Sequence, residues 1–312
     1  MTPTSLNQPT RPSTHARTRT FENSLKENRG RLLKRQLSLL AVVAAVFAPG
    51  AQASPEEPRL NPPKQYYLAL GDSFTYGFRF SKLGLPPTAF NTGYVDVFAT
   101  RMRTIRPDLV VLNYRCPGES SVTFIGGGCI GRAAGLALHD DYDGAQLDAA
   151  LAFLRAHAAQ VNPITLTLWS NDFLDLVRSC GGDFVCVQAQ APAAIAQYAS
   201  RLALILHRLR TVAPSAEIIV SGSWHSFLEH IPLFDAQFAV LNTAIANAVM
   251  AEGARFADLA TVLNPSGEAA RVTAICTLTL LCSEGDSHPS DAGYRAIAGV
   301  LYETSDYARL VD

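Results

Sequence analysis

Charge of either sign is scarce in this 312-residue chain, where 26 Lys and Arg face 27 Asp and Glu for a net charge of -1. That balance, with a pI of about 6.7, argues against nucleic acid as the main partner, which requires a clustered basic face. Basic residues do gather at Arg201, His207, Arg208 and Arg210, but at helical spacing they read as a solvated helix face. Long apolar runs are also missing. The stretch Leu37 to Phe47 falls short of the ~20 residues that span a bilayer, and no later segment is apolar for longer, so no stable membrane span is expected in the mature protein. Neither a Cys-x-x-Cys pair nor a histidine cluster occurs, which leaves no support for a metal site, and no cofactor is called for. The run His139-Asp140-Asp141-Tyr142-Asp143-Gly144 has the carboxylates a calcium ion takes but not the spacing of an EF-hand loop. It reads as a solvated loop capping the helix that starts at Ala145. Internal repeats and a second domain are absent as well.

What is present begins with an export signal. Residues 1–53 run through Arg31, Lys34 and Arg35 into the short apolar stretch and end on Ala51-Gln52-Ala53, a small-x-small cleavage pattern that makes Ser54 the new N-terminus. Removing those 53 of 312 residues leaves 259, within reach of one α/β domain with a sizeable core. Residues 54–64 form a Pro-rich leader, and 65–312 the domain. All six cysteines, at 116, 129, 180, 186, 276 and 282, fall in the mature part, and an even number in an exported chain points to disulfides. Many pairings are open to six cysteines, among them the three short loops that sequence neighbours would close.

Short apolar runs at 65–70, 109–113, 164–169, 217–221 and 255–257 alternate with helical patterns at 93–105, 145–160, 191–212, 235–252 and 291–303. Such alternation implies an α/β fold, a parallel sheet with helices on both faces joined by right-handed crossovers. That architecture places a binding site at the carboxyl ends of the strands. Irregular segments 78–91 and 123–142 are then natural walls of a cleft, and Trp224-His225, just past a strand, is placed to line it.

Four short segments sit where such a site would form. Gly71-Asp72-Ser73 ends the first strand; read alone, Asp-Ser there could simply cap a helix, with Asp72 bonding the amides of its own turn. Cys116-Pro117-Gly118-Glu119-Ser120 follows the second strand, and Trp169-Ser170-Asn171-Asp172 the third, where Asn171 could equally be a helix N-cap. Asp286-Ser287-His288-Pro289 precedes the last helix. A histidine there can take a proton from a serine hydroxyl, and a Gly N–H with an Asn amide are the donors that an oxyanion hole uses.

In this order the four segments resemble the GDSL, or SGNH, hydrolase superfamily, and the cysteines with Cys-Pro-Gly-Glu-Ser resemble its secreted bacterial lipases and esterases. The resemblance implies a flavodoxin-like three-layer sandwich and an ester hydrolase that needs no cofactor. It implies Ser73 and His288 as the catalytic pair and Ser73, Gly118 and Asn171 as the oxyanion hole. It further implies nearest-neighbour disulfides, Cys116–Cys129, Cys180–Cys186 and Cys276–Cys282, each beside a site segment. The expected substrate is a small-molecule or lipid ester, handled by a monomer in the periplasm or outside the cell; a carbohydrate acetylesterase or acyltransferase of the same fold is the alternative. Two positions depart from the family pattern. Where the family pattern reads Gly-x-Asn-Asp this chain has Trp169-Ser170-Asn171-Asp172, and the usual Asp-x-x-His spacing fails because Gly285 lies three residues before His288. Asp286, Glu284 or a main-chain carbonyl could each orient the imidazole, and Asp286 is taken as the third catalytic member.

Overall fold

The computed structural model describes residues 61–228 and 231–310. The expected signal segment and the start of the leader lie outside them, and the described residues fall in the compact unit Leu60–Asp312. Five strands, β1 Tyr66–Gly71, β2 Val110–Asn113, β3 Val161–Thr167, β4 Ile218–Ser221 and β5 Arg255–Ala257, form one sheet. All its pairings are parallel, in the order β2-β1-β3-β4-β5. β3 and β4 are buried along their whole length and β1 along nearly all of it, because a parallel sheet is covered on both faces. β1 and β4 therefore read as nearly continuous apolar runs, whereas β3 buries Asn162, Thr165 and Thr167 with hydrogen-bond partners.

The helices are α1 Ser73–Tyr76, α2 Tyr94–Met102, α3 Ser121–Gly126, α4 Ile130–Ala133, α5 Gln146–His157, α6 Ser170–Ser179, α7 Phe184–Val212, α8 Ile231–Ala251, α9 Ala260–Leu263, α10 Glu268–Leu278, α11 Leu281–Glu284 and α12 Asp291–Thr304. A two-stranded antiparallel pair, β6 Thr279–Leu280 with β7 Asp286–Pro289, brackets α11. The chain steps from β1 outward to β2, then returns across β1 to β3 and continues to β4 and β5. Right-handed connections in opposite directions put α2 on one face and α5, α7 and α8 on the other. The contacts agree: α2 packs against α12, while α7 packs against both α5 and α8. Tyr94, Phe98 and Met102 on α2 and Tyr294, Ile297 and Leu301 on α12 are fully or almost fully buried, the i, i+3/i+4 stripe of a helix with one apolar face.

Four sequence expectations need correction. α7 starts at Phe184, not Ala191, and carries Pro192 inside it. A proline lacks the N–H an interior turn needs, but the Asp183 side chain caps Val185 N and the Cys180–Cys186 bridge ties down the turns before it. The 139–144 run does not cap α5, whose N-cap Ala145 offers no side chain. Its carboxylates instead accept Asn113 N, at 2.7 Å from Asp140, and flank Arg132. The basic group on α7 is not simply solvated: Arg201 is tied to Ser121 and Asp172, and Arg210 spends its donors on main-chain carbonyls of 214, 216, 252 and 253. Finally, Leu233–Ala251 in α8 is apolar and long enough to cross a membrane by composition, which the sequence reading did not allow for. Phe234, Phe238, Leu241, Ile245 and Val249 of that helix are buried in the core on one face. The three disulfides join sequence neighbours, Cys116–Cys129, Cys180–Cys186 and Cys276–Cys282.

Candidate active site

Because the chain reverses its direction of travel across the sheet after β2, a crevice opens at the carboxyl ends of β1 and β3. Both strands deliver a segment to it. β1 ends on Gly71 with φ +134°, where an added Cβ would sit 2.1 Å from the Thr167 carbonyl oxygen on β3, so the close approach requires glycine. Asp72 then caps α1, its Oδ1 accepting Phe74 N at 3.0 Å and its Oδ2 accepting the Ser170 hydroxyl at 2.7 Å. The cap is thus Asp72, and Ser73 is free of that job. Its hydroxyl has no hydrogen-bond partner among the described residues, and Ser73 lines the cleft. Burial pushes the Asp72 carboxyl up to about 7, against the lowering effect of Ser170 and the Phe74 amide.

After β2 the chain turns at Cys116-Pro117-Gly118-Glu119, closed by Glu119 N donating to Cys116 O at 3.1 Å. Proline at the second position and a glycine at φ +84° at the third define a type II turn, and a Cβ on Gly118 would meet Ile130 at 2.9 Å. Asn171 lies in the first turn of α6, whose N-cap is Trp169 rather than Asn171. Its Nδ2 donates to Glu119 O at 2.9 Å, locking the two donor segments together. Ser170, one residue before Asn171, spends its hydroxyl on Asp72. Neighbouring Asp172 accepts Ser121 N at 2.8 Å, Ser121 Oγ, and Arg201 at 3.1 Å. Burial raises the Asp172 carboxyl while Ser121 and Arg201 oppose it.

Sequence reasoning missed Arg201, Ser121 and a further bridge, Gln146. From the start of α5, Gln146 Oε1 accepts Gly71 N at 2.7 Å and Nε2 donates to Gly71 O at 3.1 Å and to Glu119 Oε2 at 2.9 Å. It clamps the serine strand to the Gly118 turn. Glu119 is buried, which raises its carboxyl above the ordinary value. Only the buried position of Gln146 at the head of an amphipathic helix hints at this role, and that hint carries no chemistry.

His288 comes from β7. Its Nδ1 lies 2.6 Å from Asp286 Oδ1, which also accepts the His288 backbone N–H at 3.0 Å. Glu284 is exposed and makes no such contact. Burial pushes Asp286 up, but the hydrogen bonds and charge of His288 and the Phe80 amide outweigh it and hold the carboxyl below its usual value. The imidazole sits among Phe74, Phe78 and Phe80, with ring centroids 5.6, 5.0 and 5.6 Å away.

Ser73, Gly118, Asn171 and His288, spread over most of the chain, all line one cleft of about 630 Å³. Both irregular segments supply its walls, through Phe78, Phe80 and Leu83 on one side and Ile130 and Leu136 on the other. Trp169, Phe173, Trp224 and Phe227 form its apolar floor, and His225, bonded to Asp235 at 2.8 Å, borders it. Among the described residues one group has metal-type donors, Cys116, Glu119 and Cys129, and its two sulfurs are bonded to each other.

The sequence profile of the GDSL-like lipase/acylhydrolase family matches residues 69–296. The chain belongs to that family. It is an ester hydrolase with the α/β fold of the GDSL hydrolases. Phospholipase A1 from Streptomyces albidoflavus NA297 superimposes with a TM-score of 0.53 at 17% identity, over 78% of this chain and 100% of that one. An extracellular lipase from Streptomyces rimosus gives 0.50 at 16% identity, over 77% and 100%. Identities this low speak for the GDSL fold alone. No curated protein matches the chain in sequence.

Proposed function

We propose that this GDSL hydrolase is an exported serine esterase or lipase acting on apolar carboxylic esters through a Ser73 acyl-enzyme. One observation carries the reading: four sequence-remote residues of the required types line a single cleft, with His288 Nδ1 held on Asp286 at 2.6 Å. With Nδ1–H donated to Asp286, Nε2 keeps its lone pair as the base. It takes the Ser73 proton as Oγ attacks the ester carbonyl, and later returns it to the departing alcohol. The oxyanion is held by the N–H groups of Ser73 and Gly118 and by the Asn171 amide. One Asn171 N–H bond goes to Glu119 O at 2.9 Å, which fixes the amide; Nδ2 otherwise has only a long contact of 3.5 Å to Ser170 Oγ, which a substrate oxyanion can replace. Water then attacks the acyl-enzyme with His288 again as base.

The cleft's floor of Trp169, Phe173, Trp224 and Phe227 favours an acyl chain longer than acetyl over a hydroxyl-rich carbohydrate ester, since an apolar pocket gains little from sugar hydroxyls. Three formed disulfides suit an oxidising compartment, in line with the signal-like N-terminus. A panel of p-nitrophenyl esters from acetyl to palmitoyl, run on the mature enzyme and on Ser73→Ala, tests both points. Hydrolysis by Ser73→Ala at the parent rate removes the mechanism. Activity confined to acetyl esters removes the apolar-ester assignment and leaves the carbohydrate acetylesterase.

A further inference from the structure

We propose that Phe80 is a positioning residue of this site: its backbone N–H, carried on the strap from Gly77 to Lys82, fixes the Asp286 carboxylate that orients His288. The inference rests on the Ser73–His288 reading above. Asp286 stands two residues before His288, so one oxygen, Oδ1, serves both the His288 backbone at 3.0 Å and its ring at 2.6 Å. Its own turn offers nothing to Oδ2. At 2% exposure water cannot easily replace a missing donor, and a buried charged oxygen without one is costly. The donor comes from far away in sequence, with Phe80 N at 2.9 Å. The departure from the family spacing is thereby made good by another segment.

The strap is fastened at three further points. Phe78 N donates to Ser73 O at 3.0 Å, the buried Tyr294 hydroxyl donates to Phe78 O at 3.2 Å, and Arg79 pairs with Asp291 on α12. Two amides only two residues apart thus reach the main chain of the nucleophile and the carboxylate behind the base. This short span sets the distance between α1 and β7, which no other hydrogen bond among the described residues joins directly. The rings of Phe78 and Phe80 cover one side of the imidazole.

The backbone allows the N–H to be deleted selectively. Phe80 opens the turn Phe80–Lys82, and Arg79 before it is extended at φ -150° and ψ 138°, the conformation proline favours in its predecessor. Phe80→Pro removes the N–H together with the ring, whereas Phe80→Ala removes the ring alone. On p-nitrophenyl butyrate, kcat of Phe80→Pro is expected to fall about 10- to 100-fold below that of Phe80→Ala, the usual weight of a hydrogen bond to a charged group. KM should be nearly the same in both. In an Asp286→Ala background, read by the rate of fluorophosphonate labelling, the ratio should drop to about one. Equal kcat values for the two variants, or an undiminished ratio without Asp286, overturns the proposal. Should Phe80→Pro lack a native unfolding transition, Arg79→Gln takes its place. It is expected to lower kcat roughly 3- to 10-fold only when Asp286 is present, and an unchanged kcat overturns the proposal equally. Ser73→Ala separates the two readings: if it stays active the site assignment itself falls, and if it is dead while the Pro and Ala variants match, only the strap falls.

Discussion

Asp72→Asn should make the enzyme more stable at neutral pH and leave it unchanged in acid. Asp72 is fully buried beside Ser73, and burial pushes its carboxyl from 3.8 up to about 7. The folded protein therefore binds this proton more tightly than the unfolded chain does. Its contribution is complete below pH ~4 and is lost as pH rises to ~7, because in that window the native state holds the extra proton. At ~1.4 kcal/mol per pH unit the loss is on the order of 4 kcal/mol. Asparagine keeps the geometry: its Oδ1 can accept Phe74 N as Asp72 does at 3.0 Å, and its Nδ2 can donate to the Ser170 hydroxyl, now the acceptor. With ~2–4 °C per kcal/mol for a domain of this size, the variant should melt on the order of 10 °C above the parent at pH 8 and with it at pH 4. Glu217, also pushed up to about 7 by burial, titrates in the same window, so the parent's own pH curve mixes the two. The difference between parent and variant isolates Asp72. Thermal unfolding of both proteins from pH 4 to 8 decides the matter, and a difference that stays constant over that range refutes the argument.

Asp286→Ala should reduce kcat about 10³- to 10⁴-fold, approaching His288→Ala, since the carboxylate and not a main-chain carbonyl holds Nδ1; retention of a tenth of parental turnover would speak against it. Asn171→Ala should cost about 100- to 1000-fold in kcat by stopped-flow or steady-state assay. It should also cost ~1–3 kcal/mol of stability by urea titration, because the buried Glu119 carbonyl loses its donor at 2.9 Å. Removing the Cys116–Cys129 bridge with a Cys116→Ser/Cys129→Ser pair frees a 13-residue loop that carries Gly118 and should lower stability by about 3 kcal/mol. N-terminal sequencing of the exported protein should begin at Ser54.

Much of the fold is legible in the sequence. The strands at 66–71 and 218–221 announce themselves because a buried parallel strand is a bare apolar run, and the edge strand 110–113, though only partly buried, is apolar at three of its four positions. The site segments are legible for a related reason: a strand end in such a sheet must empty into the crevice, so Ser73, Gly118 and Asn171 are placed by topology as much as by motif. Helices α6 and α10 were not legible. Ser170–Ser179 does carry an apolar stripe, Phe173, Leu176 and Val177, but over fewer than three turns, a pattern too short to stand out from loop. Glu268–Leu278 mixes in Val272, Thr273, Ile275 and Thr277, follows a Gly N-cap without a side-chain bond, and buries only Arg271 and Ile275. Tertiary packing, not local propensity, makes it a helix.

What stayed hidden in the site shares one physical cause. Spacing arguments see residues that act through neighbours in sequence, whereas the supporting groups here act across it. Gln146 reaches back to Gly71, Arg201 to Ser121 and Asp172, and Phe80 forward to Asp286. Two of these three contacts have a backbone group at one end, Gly71 in the first and Phe80 in the last, which no side-chain pattern can encode. The Asp286 question shows the consequence. Counting residues from His288 made a standard acid look misplaced, and its identity stayed open between a carboxylate and a carbonyl. Once Phe80 N occupies Oδ2 and the His288 amide and ring share Oδ1, both oxygens of that buried carboxylate have partners, and the shorter spacing becomes a geometry this chain can use.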